Sequence, residues 1–293
     1  MQTIYETIYR PPLEAQSSLL ELSAGCSWGK CIFCRLAAGH VPLQLVPEDI
    51  LRQNLLEKSL SGNMPERMFL TGENALSFKT DYLLHVFGLV RAYLPFVREF
   101  AMFGRAVDVE TKNDAQLLKL KEAGLKTVYV GLESGNAETL RLVAKGVTPE
   151  KLLTQLARLD KAGIGYGLSA IFGLGGRQLS RAHALDTASF INSVHPESVR
   201  FMTLTPMPET PLAKMVESGR FSQLSPEEVL AEERLLIGSL EPGSHSYRFY
   251  GNHVSNAVPL KGNMPEDRER ILAALDHALG QAVPKAEADD RKW

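Results

Sequence analysis

A parallel α/β fold, either a partial or full (β/α) barrel or an open sheet, follows from three regularities of this 293-residue sequence. Six short apolar runs recur along it. The stretches between them carry helical periodicity, and helices stop on glycine just before the next run, as in "EAGLKTVYV" and "KAGIGYGLSAIF". The runs are Leu19–Ser23, Met68–Leu70, Phe100–Phe103, Thr127–Leu132, Tyr166–Leu174 and Val199–Leu204, with successive starts 27 to 49 residues apart. That spacing is too long for hairpins and suits strand–helix–strand crossovers.

Each element has a local reason. The first strand, "LLELS", runs directly into "GCSWGKCIFCR". After the third strand, "NDAQLLKLKEAG" starts a helix at Asn113 and stops it at Gly124. Thr148-Pro149 and Ser225-Pro226 each set a capping side chain before a proline at the first helical position. Glu228 completes a capping box with Ser225. Beyond Leu204 the alternation weakens, and "RFYGNHVSNAVPLKGNMPE" is expected to be irregular before a last helix, Asp267–Leu279. The expected organisation is a core over 1–204, an extension over 205–283 that covers the barrel mouth, and a frayed tail over 284–293.

Composition narrows the partners. Hydrophobic residues make up 44%, charged residues 23%, and the net charge is −2, as in ordinary soluble domains. No basic block supplies a case for a nucleic-acid partner, and no run of eighteen apolar residues spans a bilayer. "MQTIYETIYRPP" lacks the basic start and apolar core of a secretory signal, so a cytoplasmic location is expected, where thiols stay reduced.

All three cysteines, Cys26, Cys31 and Cys34, fall in one loop spaced C-x4-C-x2-C, with Gly25 and Gly29 permitting tight turns. A nucleophile needs one thiol beside a base rather than three in a cluster. Three thiolates can hold three corners of a cubane iron–sulfur cluster and leave one iron open. With His40, they can equally form a Cys3His zinc knuckle. Placement directly after the first strand favours the cluster, because loops after the C-terminal ends of parallel strands are where such folds build sites.

The loop resembles that of radical S-adenosylmethionine enzymes, whose usual spacing is C-x3-C-x-aromatic-C. Here the first gap is one residue longer, while Phe33 keeps the aromatic before the last cysteine. "GCSWGKCIFC", "VYVGLESGNAETL", "KGVT" and "NHVSNAVPLKGNMPEDRERIL" resemble a subgroup of iron–sulfur oxidoreductases related to oxygen-independent coproporphyrinogen dehydrogenases. The likeness covers nearly the whole chain and implies a (β/α)6 partial barrel.

The resemblance also implies roles at the strand ends. Gly72, Glu73 and Asn74, in "TGEN", stand where a "GGE"-like segment binds the methionine amino group, with Thr71 replacing its first glycine. Glu133 and Ser134, in "GLESG", stand where a carboxylate and a hydroxyl reach a ribose or amino group. A helix-capping turn at Ser134 or Asn136 is the plainer alternative. Ile171 and Gly173 match a segment that packs along adenine, with Ser169 and Gly176 replacing its first glycine and its glutamate.

Implied cofactors are a [4Fe–4S] cluster and S-adenosylmethionine, and the implied chemistry is a 5′-deoxyadenosyl radical that abstracts a hydrogen. With no cysteine left over, an auxiliary cluster held by cysteines is excluded. A small polar substrate and an electron donor such as flavodoxin or ferredoxin are the expected partners. Candidate catalytic groups are His253, within the polar "RFYGNHVSN", and Arg105, which with Lys112 could bind an anion, although Lys112 reads as readily as an exposed, solvated charge. His85, His183 and His277 fall in helices and receive no role. A coproporphyrinogen dehydrogenase-like activity, a haem carrier and a zinc-stabilised β/α binding protein remain alternatives.

Overall fold

Runs of consecutive apolar residues become the strands of a sheet. In the computed structural model the described residues are 10–38, 43–62, 64–241 and 245–281. His40 and the tail 284–293 lie outside them. In chain order the strands and helices are β1 (Ser18–Glu21), β2 (Ser23–Ala24), α1 (Arg35–Ala38), β3 (Gln44–Leu45), α2 (Glu48–Leu60), β4 (Arg67–Thr71) and α3 (Thr80–Tyr93). There follow β5 (Glu99–Gly104), α4 (Ala106–Glu110), α5 (Asp114–Glu122), β6 (Leu125–Glu133), α6 (Ala137–Leu142), α7 (Pro149–Ala162) and β7 (Gly165–Phe172). The last are α8 (Gly176–Asn192), β8 (Ser198–Thr203), α9 (Pro211–Glu217), α10 (Pro226–Gly238), β9 (Tyr247–Gly251), β10 (Leu260–Met264) and α11 (Arg268–Leu279).

The main sheet has eight strands in the order β1-β4-β5-β6-β7-β8-β9-β10. Its strands pair in parallel from β1 through β4 and β5 to β6, and from β7 through β8 to β9. Six of its strands coincide with the six apolar runs, and β6 is buried along nearly its whole length. Such a strand has both faces covered, which is why it reads as a continuous apolar run.

Helix starts follow their side chains. Asn113 and Gln116 form a capping box on α5, Ser225 and Glu228 form one on α10, and Thr148 Oγ1 accepts the Lys151 N–H at the start of α7. One expectation is corrected. The segment expected to be irregular contains β9 and β10, paired antiparallel from Tyr247↔Met264 to Gly251↔Leu260. Tyr247 and Phe249 alternate inward with exposed Arg248, so a short two-residue period drives the strand despite the turn-rich residues that follow.

The chain divides into two compact units, one of Met1–Gly29, His40–Val130 and Thr154–Tyr166, the other of Lys30–Gly39, Gly131–Leu153 and Gly167–Trp293. In the first, Phe69, Ala101 and Tyr129 pack with Leu13, Leu19 and Phe103. Glu14, fully buried, is held there by Arg67 Nη2 and by the Tyr129 hydroxyl, each at 2.6 Å. Burial pushes the Glu14 carboxyl up, but bonds from Arg67, Ser17 and Tyr129 hold it below the usual range. In the second unit, Val143, Ile171, Leu174, Leu204, Leu212 and Phe221 make a core, and Phe172 stacks on Phe201 at 4.6 Å.

Candidate active site

The cysteine loop is shaped by its glycines. Gly25 and Gly29 sit at φ 76° and 59°, the left-handed region that side chains with a Cβ disfavour. Nothing lies closer to a Cβ at Gly29 than Cys26 O at 3.8 Å, so the backbone, not crowding, asks for glycine there. Cys26, Cys31 and Cys34 are all half-buried and outside any disulfide. Trp28 N–H donates to Cys26 Sγ at 3.4 Å, and Cys34 N–H donates to Cys31 O at 3.0 Å. Three accessible thiols, one of them already receiving an amide proton, are a donor set suited to iron and sulfide. Among the described residues no three His, Cys, Asp or Glu side chains gather as ligands of one ion. A cubane asks for no such gathering, because each thiolate ligates a different iron.

In the second unit the loop's later residues are held by backbone. Ile32 N–H donates to Val143 O at 3.1 Å, Ile32 O accepts from Leu212 N–H at 3.0 Å, and Phe33 packs on the core around Ile171 and Leu204.

At the end of β4, Gly72 has φ 133°, and a Cβ on it would stand 2.4 Å from Ser23 Oγ. Glu73 is half-buried, and loss of water pushes its carboxyl up. Asn74 is fully buried, and its amide bonds Ser27 and Asp108. At the end of β5, the Arg105 guanidinium lies 4.7 Å from the Trp28 ring centroid. Lys112, expected to meet an anion or to stand as a solvated charge, is buried instead. Its Nζ donates to Leu76 O at 2.6 Å, Phe78 O at 3.1 Å and Asp108 O at 3.4 Å, and burial lowers its pKa.

In the second unit, Glu133 ends β6 at φ 61° and its Oε1 accepts from Lys145 Nζ at 2.6 Å. Ser134 is fully buried and its Oγ bonds His183 Nδ1 at 2.7 Å while accepting the Asn136 N–H at 2.9 Å. His183 Nε2 faces Ile171 O at 3.0 Å, and a carbonyl only accepts, so the ring proton sits on Nε2 and Nδ1 accepts from Ser134. Burial holds His183 down at about 4, so it is neutral. Glu232 on α10 accepts the Gly173 N–H at 2.6 Å and the Ser180 hydroxyl at 2.5 Å, and burial pushes its carboxyl up to about 7. Asn136 does cap α6, through Oδ1 to Thr139 N–H at 2.8 Å.

Within the second unit, a cavity of about 150 Å³ is lined by Phe33, Ile171, Met202, Leu204, His253 and Ser255 among others. It brings together three residues that the sequence singled out separately: Phe33, Ile171 and His253. Nδ1 of His253 accepts the Ser255 N–H at 3.2 Å and lies 2.7 Å from Ser255 Oγ. The ring proton is therefore on Nε2, and burial with the nearby Arg200 charge lowers His253 to about 4.

Sequence reasoning missed Lys145, His183 and Glu232 as members of this region. The spacing of Ser180, His183 and Thr187 on one face of α8 was the available signal for the buried polar seam.

The Radical SAM superfamily profile matches residues 20–191, more than half of the chain. A biotin synthase of Bordetella avium is 30% identical over 209 residues, covering 68% of this chain and 59% of that protein. Coproporphyrinogen III oxidase from Escherichia coli superposes with TM-score 0.59 at 16% identity, over 76% of this chain and 52% of that one. Methylornithine synthase gives TM-score 0.54 at 18% identity, over 76% and 62%. The chain thus spans about half to three-fifths of the length of these relatives. The two solved structures support the partial barrel as a fold.

Proposed function

Since the chain belongs to the radical S-adenosylmethionine superfamily, whose enzymes use a [4Fe–4S] cluster and S-adenosylmethionine, we propose that it cleaves S-adenosylmethionine reductively to initiate hydrogen abstraction from a small polar substrate. When bound, the cluster would supply one electron to the sulfonium and release the 5′-deoxyadenosyl radical. Everything else falls to the chain. Cys26, Cys31 and Cys34 hold three irons. Phe33 and Ile171 offer apolar walls to the flat adenine, and Gly72 and Glu73 offer acceptors to the methionine ammonium. The Glu133–Lys145 pair meets the polar part of the nucleoside, while Ser134 holds the end of β6 through His183 rather than touching ligand. The apolar lining of the cavity keeps water from a reactive intermediate.

The observation that carries this reading is the shared cavity. Phe33 immediately precedes the last cysteine, Ile171 sits near the end of β7, and both line one space. His253 lines the same space as a neutral imidazole, suited to donating a hydrogen bond through Nε2–H rather than to releasing a proton. The stretch 205–283 would select the substrate, and flavodoxin or ferredoxin would deliver the electron. No helix among the described residues is long and apolar enough to cross a membrane.

The test is anaerobic reconstitution with iron and sulfide, then dithionite and S-adenosylmethionine, with chromatography for 5′-deoxyadenosine. The wild type should bind about four irons per chain and make the product. A variant with alanine at all three cysteine positions should do neither. Zinc retained without iron would sink the proposal.

A further inference from the structure

A closed circuit of side chains fastens the residues between the first two cysteines. Asn74 Oδ1 accepts the Ser27 N–H at 3.3 Å, and its Nδ2 donates to Ser27 Oγ at 2.5 Å. The same Nδ2 donates to Asp108 Oδ2 at 3.4 Å. That carboxylate oxygen also accepts the Arg105 N–H at 2.7 Å, and the Arg105 guanidinium lies over the Trp28 ring at 4.7 Å. The path runs from Ser27 through Asn74, Asp108 and Arg105 back to Trp28, the next residue. Inside it, Trp28 N–H donates to Cys26 Sγ at 3.4 Å.

The side-chain chemistry is matched at each step. Position 74 must accept once and donate twice, which an amide does and a carboxylate cannot. Asp108 is 4% exposed and Asn74 fully buried, so a mismatch has no water to repair it. An arginine face suits an indole better than an ammonium does, because the planar guanidinium can both stack and interact as a cation.

We propose that Asn74, Asp108 and Arg105 are positioning residues that hold the Trp28 amide on the Cys26 sulfur and thereby raise the reduction potential of the cluster Cys26 ligates. The inference rests on the cluster reading above. Hydrogen bonds to ligating sulfurs are among the determinants of cluster potential, since they offset the charge that reduction adds. Asn74 then serves the loop rather than the methionine group.

The experiment uses the full chain with Asn74→Asp and Arg105→Met, each made in a Trp293→Phe background so that Trp28 is the only tryptophan. Trp28 emission and acrylamide quenching are measured metal-free. The midpoint potential is then titrated by electron paramagnetic resonance after reconstitution. Both variants should shift Trp28 emission to the red and lower the reduction equilibrium about tenfold, which is ~59 mV for one electron. Circular dichroism checks folding, and Arg105→Lys, which keeps the cation, should recover part of the shift. An unchanged midpoint with iron bound overturns the inference and leaves the cluster reading standing. Absence of iron from the wild type sinks the cluster reading and the potential effect together, while unchanged emission in both variants overturns the circuit itself.

Discussion

Glu133 and Lys145 meet at 2.6 Å in the space that a side chain on Gly131 would fill. A Cβ there would stand 2.3 Å from Glu133 Oε1 and 2.7 Å from Lys145 Nζ. The side chains of the pair are about one-tenth exposed, and Glu133 holds a left-handed backbone that costs a non-glycine residue energy. Removing one partner leaves the other charge buried, with little water and without its ion pair. Lys145→Met and Glu133→Gln should each destabilise by about 3–5 kcal/mol in urea unfolding, and the double variant by less than their sum. Additive losses would show that the two side chains are not coupled.

Gly72 carries a related demand in the first unit. Its φ of 133° is nearly confined to glycine, and Ser23 Oγ occupies the Cβ position at 2.4 Å. Gly72→Ala should lower stability by about 1–3 kcal/mol. The double variant Gly72→Ala, Ser23→Gly, which removes the clash and leaves the backbone strain, should recover only part of the loss.

The buried Glu232 predicts a pH signature. Its folded pKa, about 7, lies above the ordinary carboxylate value of 4.5, so its contribution to stability is fully present below 4.5 and is lost as pH rises through about 7. Glutamine does not titrate. The melting temperature of Glu232→Gln relative to wild type should therefore climb between pH 5 and 8, by ~2–4 °C for each kcal/mol recovered. A difference independent of pH would place the ionised form in the fold. His183 works in the opposite sense. Depressed to about 4, it stabilises fully above 6.5, and that contribution is lost as pH falls through about 4.

His253 should stay uncharged across the working range. With Nδ1 accepting from Ser255 and a pKa held at about 4 by burial and Arg200, its ring resonances in nuclear magnetic resonance should not titrate between pH 5.5 and 8. Ser255→Ala removes the hydroxyl but keeps the backbone donor. That variant should shift the His253 signals without bringing a titration into this range.

Much of the fold is written in local residues. Apolar runs such as Thr127–Leu132 fall within strands because a covered parallel strand needs no polar alternation, and Ser225 with Glu228 marks a helix start within four residues. β9 and β10 escaped because "RFYG" is short and adjoins turn residues, and partners a dozen residues apart stabilise it. The site was legible as residue types at strand ends, but not as bonds. Asn74 reads as part of a ligand motif until Ser27, 47 residues away in sequence, occupies its amide. Lys112 reads as a solvated charge, and His183 as one more helical residue. Their roles depend on which groups burial deprives of water, and that is decided by tertiary packing.

The lysine that donates to three backbone carbonyls has a practical consequence. Lys112 Nζ is enclosed by Leu76 O, Phe78 O and Asp108 O and is walled off from bulk reagent. An acylating reagent that modifies exposed amines within seconds must wait at this position for the turn after β4 to detach. The rate of acylation at residue 112, followed by peptide mass spectrometry, is thus a clock for that opening, and a chain acylated there cannot close again with its three carbonyls satisfied.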